Sequence, residues 1–297
     1  MEFEVLAEGL QFPEGPIIMD DGSVIVVEIR RGTLSRVWNG KIEVIAELGG
    51  GPNGAAIGPD GAVYVCNNGG FTWENRDGFM VINGAAKDYV TGLIQRVDLK
   101  TGKFERIYDN VKGNRLSGPN DIVFDKQGNF YFTDLGKNYA RTKDFGGLYY
   151  AKPDGSMISE LSYGSIGFNG VGLSPDEKTV YAAETHTARL FAFEITEPGK
   201  VKSPAGRCIN AQGKLCFFDS MAVQADGGVC VATIRPGGVT TVMPDGSSSF
   251  VEFPDPVTTN ICFGGADMRD AYITLSITGK LIKARWPTPG HKLNFNA

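Results

Sequence analysis

The sequence predicts an all-β fold: a six-bladed β-propeller with four strands per blade, filling residues 1–297 as a single domain. Three observations carry the prediction. A short unit recurs, made of a polar head, an apolar run, a tight turn and a second apolar run. Asn120 heads its clearest copy and Gly128 closes the turn eight residues on. The same interval separates Glu14 from Gly22, Asn53 from Gly61, Asp219 from Gly227 and Asn169 from Glu177, the last with Glu in place of Gly. Asn260 heads a sixth, weaker copy. Second, the heads lie about 40 to 70 residues apart, the period of repeats built from several short strands. Third, apolar residues do not recur at helical spacing with caps, which leaves little room for helices. A β-sandwich with coincidental Pro-Asp-Gly turns would not keep the head-to-turn interval fixed.

The elements follow in order. Phe3–Leu6 reads as an outer strand that closes the last blade beside Lys280–Trp286, hiding an otherwise open edge. Blade one runs from Glu14 to about Leu48. Blade two starts at Asn53, with a second strand over Ala62–Cys66 and a third over Gly92–Asp98. Between them sits an insertion, Gly70–Thr91. An innermost strand starts at its head and runs away from it, so the second strand returns to the head face. The insertion therefore emerges where the heads are. Its Phe71, Trp73, Phe79 and Met80 predict a lid or pocket wall, since solvated loops rarely hold so many large apolar groups. The same reasoning brings Asn67, Asn68, Asp134, Glu184 and Arg235 to this face, with Lys137, Tyr139 and His186 close behind. Blade three is Ile122–Phe124, the turn Asp125–Gly128 and Asn129–Thr133. Blade four is Gly170–Leu173, Thr179–Glu184, Arg189–Ile195 and a strand within Arg207–Phe218. Blades five and six begin at Asp219 and Asn260.

Composition limits the function. The net charge is −5 and no basic run stands out, which argues against nucleic acid. No apolar run approaches the roughly 18 residues of a membrane span. Met1–Glu4 is acidic and strand-like, so no signal peptide is evident, and a cytoplasmic location with reduced thiols is expected. Of the five cysteines, Cys66, Cys230 and Cys262 sit in apolar strands. Cys208 and Cys216 are the one pair placed to join in an oxidising compartment.

All six heads are amides or carboxylates. Inner strands of a propeller meet around a central channel, so the heads ring one opening. Oxygen donors converging on a point suit Ca²⁺, Mg²⁺ or Mn²⁺. With only His186 and His291 in the chain, a His-rich zinc site is excluded. Asn and Asp also serve as turn residues that bond nearby backbone. That reading is the expected one for Asn53 and Asn260, whereas Glu14 has no such turn preference.

The motifs Phe12-Pro-Glu-Gly-Pro16, Ser117-Gly-Pro-Asn-Asp121, Asn169-Gly-Val-Gly-Leu-Ser-Pro-Asp176 and Asp219-Ser-Met-Ala-Val-Gln-Ala-Asp-Gly227 resemble the gluconolactonase, or senescence marker protein/regucalcin, family over essentially the whole chain. The resemblance implies one divalent metal ion at the central opening, held by Glu14, Asn120, Asn169 and Asp219. Ca²⁺ is the expected ion, with Mn²⁺, Mg²⁺, Zn²⁺ and Fe²⁺ as alternatives. It implies a hydrolase that opens a small-molecule lactone, a sugar aldonolactone in the simplest case. Asp219 is the first candidate for the base, Asp134 the second, and Asp121 and Glu184 follow. Asn120, Trp73, Glu184 and His186 are the candidate substrate contacts. Some sugar lactonases of the family carry an arginine two residues before the Asn120 position. Gly118 stands there in this chain, and the aromatic insertion leaves room for a less polar lactone. The alternatives are an aromatic or aliphatic lactone, a phosphotriester, or a ligand-binding propeller without catalysis. A Ser-His-Asp mechanism is disfavoured because no Gly-x-Ser-x-Gly elbow is present. The sequence leaves the oligomeric state open.

Overall fold

Every turn interval read from the sequence closes a hairpin in the computed structural model, which describes residues 1–295. Six antiparallel sheets result, and no helix is present among the described residues. Blade one is Pro13–Ile18, Val24–Glu28, Thr33–Trp38 and Lys41–Glu47. Blade two is Pro52–Ile57, Val63–Asn67, Leu93–Val97 and Phe104–Tyr108, and blade three is Pro119–Phe124, Phe130–Asp134, Gly146–Ala151 and Ile158–Ser165. Blade four is Phe168–Leu173, Thr179–Glu184, Arg189–Glu197 and Arg207–Ala211. It gains a fifth, two-residue strand, Lys200–Val201, because the long third strand overhangs its neighbour. Blade five is Phe217–Val223, Val229–Ile234, Gly238–Val242 and Ser248–Glu252. Blade six is Thr258–Gly264, Asp270–Leu275 and Lys280–Arg285, completed by Phe3–Glu8 from the other end of the chain. The expected closing strand is thus in place.

The core lies between blades rather than within them. Six apolar clusters each join two neighbours: Tyr64 and Ile94 of blade two meet Phe124 and Phe132 of blade three, and Val24 and Val26 of blade one meet Cys262 and Leu281 of blade six. Burial at these seams is the main force closing the ring. At the hub the inner strands crowd. A Cβ on Gly54 would lie 2.4 Å from the Asn120 carbonyl oxygen, and one on Gly170 would lie 2.6 Å from that of Asp219. Three of the heads, Glu14, Asn53 and Asn169, are followed by glycine for this reason, a Cβ on Gly15 meeting the Asn53 carbonyl oxygen at 2.8 Å.

The end of the channel opposite the heads is stopped by the segment after blade six. His291 N donates to Val223 O at 2.8 Å, and Ala225 N donates to Pro289 O at 2.9 Å. A cavity of about 70 Å³ remains above this plug, lined by Val123, Val171, Met221 and Leu293 among others. The segment has no periodic pattern, and nothing in the sequence announced it. No helix among the described residues is long and apolar enough to cross a membrane. All five cysteines are free, Cys208 exposed and Cys216 buried.

Candidate active site at the propeller hub

Each inner strand carries a β-bulge at its head: the register shifts between Glu14 and Ile17, Pro52 and Ala55, Pro119 and Ile122, Phe168 and Val171, Phe218 and Met221, and Thr258 and Asn260. A bulge turns a side chain out of the pleat. Here it turns the six heads toward the axis, and all six are buried.

Their partners differ. Glu14 Oε2 accepts from its neighbour Gly15 N and from Asn260 Nδ2, each at 2.7 Å, and Asn260 Oδ1 accepts from Ile261 N at 2.7 Å. Asn260 is therefore satisfied by the protein, as a turn residue should be. Asn53 is not, and the expectation for it is corrected. Its carboxamide makes no hydrogen bond among the described residues, and its buried Oδ1 has no partner. The bulge turns it away from the backbone that a turn asparagine would bond. Asn120 Oδ1 is orphaned in the same way. Asn169 lies beside the Asp219 carboxylate and lowers its pKa, and its Oδ1 keeps only a 3.5 Å contact from Ser220 Oγ.

Electrostatics point to a missing positive charge. Burial, then the nearby Asp219, push the Glu14 carboxyl well above its ordinary range. Burial pushes Asp219 up to about 8 and Asp121 up to about 7. Asp121 adds to the repulsion on both other carboxyls, and no lysine or arginine is among the groups acting on the three. Buried carboxylates are ordinarily paired with a cation or neutralised. Two orphaned amide oxygens beside uncompensated carboxyls match the donor set of a hard divalent ion. No cluster of three or more His, Cys, Asp and Glu with ligating geometry occurs among the described residues, so a site here draws on amides.

Asp134 and Glu184 have a different place. The residue just before a head pairs with the last residue of the second strand: Pro13 with Glu28, Pro52 with Asn67, Pro119 with Asp134 and Phe168 with Glu184. In each blade that last side chain takes a backbone N–H from the loop entering its own inner strand. Glu28 accepts from Gln11 N at 2.7 Å and Asn67 from Gly51 N at 2.9 Å. Asp134 accepts from Ser117, Gly118 and Gly136 N at 2.7–2.8 Å. Glu184 accepts from Ile166 N at 3.3 Å and also from Ser165 Oγ and Thr187 Oγ1. These are four copies of one latch. Asp121 is likewise occupied, accepting from Ile122 N at 3.0 Å and Val171 N at 3.2 Å. His186 is exposed at the rim against Phe217, with ring centroids 6.4 Å apart.

The insertion is a β-hairpin, Phe71–Arg76 paired with Phe79–Ala85, on the head face. Trp73 meets Phe12, two residues before Glu14, with ring centroids 5.1 Å apart. The hairpin tip faces blades one and six across a cleft of about 270 Å³ lined by Phe12, Phe79, Met80 and Thr278.

Comparison with known proteins agrees with this architecture. Residues 12–277 match the family described as the SMP-30/Gluconolactonase/LRE-like region. The chain is 24% identical to a gluconolactonase of Zymomonas mobilis, over 97% of this chain and 82% of that protein. It is 30% identical to lactonase drp35 of Staphylococcus saprophyticus, over 82% of this chain and 70% of that protein. Among solved structures, a Xanthomonas campestris gluconolactonase superposes with a TM-score of 0.74 at 20% identity, covering 97% of this chain and 89% of that one. A calcium-binding protein, regucalcin, of Agrobacterium tumefaciens gives 0.74 at 18% identity, covering 98% of both chains. At these identities the two structures speak for the fold.

Proposed function

Because the chain belongs to the SMP-30/gluconolactonase/LRE-like family, we propose that it is a divalent-metal-dependent hydrolase that opens a lactone ring at the hub. The observation that carries the reading is the ring of buried heads, with unpartnered amide oxygens and with carboxyls on which no lysine or arginine acts. Glu14, Asn120, Asn169 and Asp219 are the proposed ligands, and Asn53 adds a fifth oxygen at the same register. Calcium suits a set of this size, and a location among reduced thiols in the cytoplasm suits the free cysteines.

A bound ion would polarise the lactone carbonyl as a Lewis acid. The rest falls to the chain. Asn120 and Asn53, whose buried oxygens have no partner in the protein, would help to hold the ion. Asp219, buried among the heads, takes the proton of the water that adds to the carbonyl carbon. The ring C–O bond then breaks, the ring oxygen is protonated, and a hydroxy acid leaves. Asp134 and Glu184 hold the head loops. His186 lines the rim, where an incoming ligand passes it.

An aldonolactone is the simplest substrate. A second reading, a lactone with an apolar substituent, is favoured by the aromatic contact of Trp73 with Phe12, two residues before Glu14.

The test is acid release from a lactone panel by the full chain, before and after chelation and metal return. Activity is expected to vanish with EDTA and to return with Ca²⁺ or Mn²⁺. Asp219→Asn is expected to lower kcat by about 10²–10⁴-fold. Near wild-type turnover by that variant with metal still bound would remove Asp219 from the base role.

A further inference from the structure

Lys137 has the most unusual setting of any basic residue in the chain. It is 1% exposed, among the largest fully buried side chains. It lies in the loop after Asp134, on the head face, yet the groups it touches belong to blade two. Its ammonium donates to the backbone carbonyl of Asn68, and to Asn68 Oδ1 at 3.1 Å. The Phe71 ring lies 4.1 Å from Nζ and the Tyr89 ring 4.9 Å. Asn68 directly follows the second strand of blade two, Phe71 opens the hairpin, and Tyr89 lies four residues past the hairpin's second strand. One ammonium thus gathers the strand end, both ends of the insertion and blade three.

Other bonds converge on the same point. Asn68 Oδ1 also accepts from Gly70 N at 2.9 Å, and Asn68 N donates to Gly51 O at 2.9 Å, on the loop entering blade two's inner strand. Tyr89 OH donates to Ser117 O at 2.7 Å, on the loop leading to Asn120. Ala85 N donates to Asn138 O at 3.2 Å. The far end of the hairpin has no comparable fixing. Asp77 and Gly78 are exposed, and the cleft of about 270 Å³ separates the tip from blades one and six. Contact with the hub runs through rings: Phe71 to Trp73, with centroids 6.4 Å apart, then Trp73 to Phe12. Phe12 itself has a φ of +59°, a conformation bulky residues seldom adopt, and it directly precedes Pro13 and Glu14. Strained residues of this kind gather at ligand clamps.

We propose that Lys137 is the positioning residue of the hairpin. It fixes Phe71–Ala85 as the wall of the lactone site, and through that wall the site selects lactones bearing an apolar chain or ring. Burial pushes the Lys137 ammonium down to about 7 while Asp134 and Asp144 push it back up, and the two ring faces and the Asn68 oxygens hold its charged form where water is excluded. Loss of the ammonium would loosen both ends together, and the Trp73–Phe12 wall would lose its place beside Glu14. The hub heads would keep theirs, because none of them touches Lys137 and the loops leading to Asn53 and Asn120 stay held by Asn67 and Asp134.

The inference rests on the lactonase reading, and the experiment separates the two. The Ca²⁺-loaded full chain is compared with Lys137→Met, which keeps the length and apolar stem. The substrates are δ-dodecalactone, with an alkyl chain, and δ-valerolactone, a bare ring. Lys137→Met is expected to raise KM for the alkyl lactone about tenfold while kcat stays within about twofold, and to leave the bare ring's KM unchanged. Amide exchange is expected to quicken across residues 71–85 and to stay slow across 130–134. Phe71→Leu removes one ring face and serves if Lys137→Met does not fold; it should show the same split. An active wild type whose variants keep the alkyl-lactone KM would overturn the proposal. So would equal KM increases for both lactones. Should the wild type hydrolyse neither lactone with any metal, the lactonase reading fails, and the exchange measurement still decides whether Lys137 pins the hairpin.

Discussion

Asn53 and Asn260 look alike in sequence, since both head a copy with no other distinction, and the structure separates them. Asn260 gives its amide to Glu14 and takes the Ile261 N–H. Asn53 leaves a buried oxygen without a partner. Removing an unsatisfied buried acceptor relieves a desolvation cost of about 1–3 kcal/mol, whereas removing one half of a made pair incurs it. Opposite signs follow for the metal-free protein. Asn53→Leu is expected to raise Tm in EDTA and to shrink the further rise that Ca²⁺ gives. Asn260→Leu is expected to lower Tm in EDTA, because it orphans Ile261 N and leaves the buried Glu14 carboxyl with Gly15 N alone. Thermal melts with and without Ca²⁺ check both. Equal shifts in EDTA would mean that the Asn53 oxygen finds a partner inside the protein after all. Sequence spacing placed both residues at the hub and could not tell them apart. What separates them is side-chain direction after a bulge, and no residue type announces a bulge.

At the scale of the strand, the repeat shows where Asp134 and Glu184 sit. Each copy was legible through its head-to-turn interval, because the turn geometry demands Gly or Asp at fixed places. The insertion's face was legible too, since strand direction alone decides it. The latch was not, because its members are Glu28, Asn67, Asp134 and Glu184, four positions with three residue types. Their common feature is register, the pairing opposite the residue before the head. Alone, a carboxylate at the end of such a strand looks catalytic. The register instead makes a sharp prediction. Asparagine already fills the latch in blade two, so Asp134→Asn is expected to keep an acceptor for the head loop and most of the hydrolytic activity. Asp134→Ala leaves three backbone N–H groups without their acceptor and is expected to lose about 1–3 kcal/mol or more of stability in urea titration. Activity should follow folding in both variants. A well-folded Asp134→Asn protein with turnover reduced a hundredfold would return Asp134 to the chemistry.

The whole molecule is a closed ring whose seams are apolar and whose axis is acidic. Blade order, ring closure by Phe3–Glu8 and the hub of polar heads were all readable from the sequence. The plug beneath the channel was not, because His291 and its neighbours bond across blades through backbone groups that carry no residue code. A ring with acid at its centre has a distinctive response to pH when no ion is bound. Burial raises Asp121 to about 7 and Asp219 to about 8, and raises Glu14 as well. In the unfolded chain an Asp releases its proton near 3.8. Between those limits the folded state holds more protons than the unfolded one, so stability falls as pH rises. The contribution is fully present below the unfolded value and is lost as pH climbs through about 7 and 8. A divalent ion inverts this, since it binds the deprotonated carboxylates and competes with their protons. Melts from pH 5.5 to 8.5 are therefore expected to show Tm falling in EDTA and nearly level in Ca²⁺, with the gap widening toward high pH. Glu14→Gln combined with Asp219→Asn should leave in EDTA only the shallower fall that Asp121 gives near pH 7, and should close the gap. A Ca²⁺ effect of constant size across that range would place the ion elsewhere than among these carboxylates.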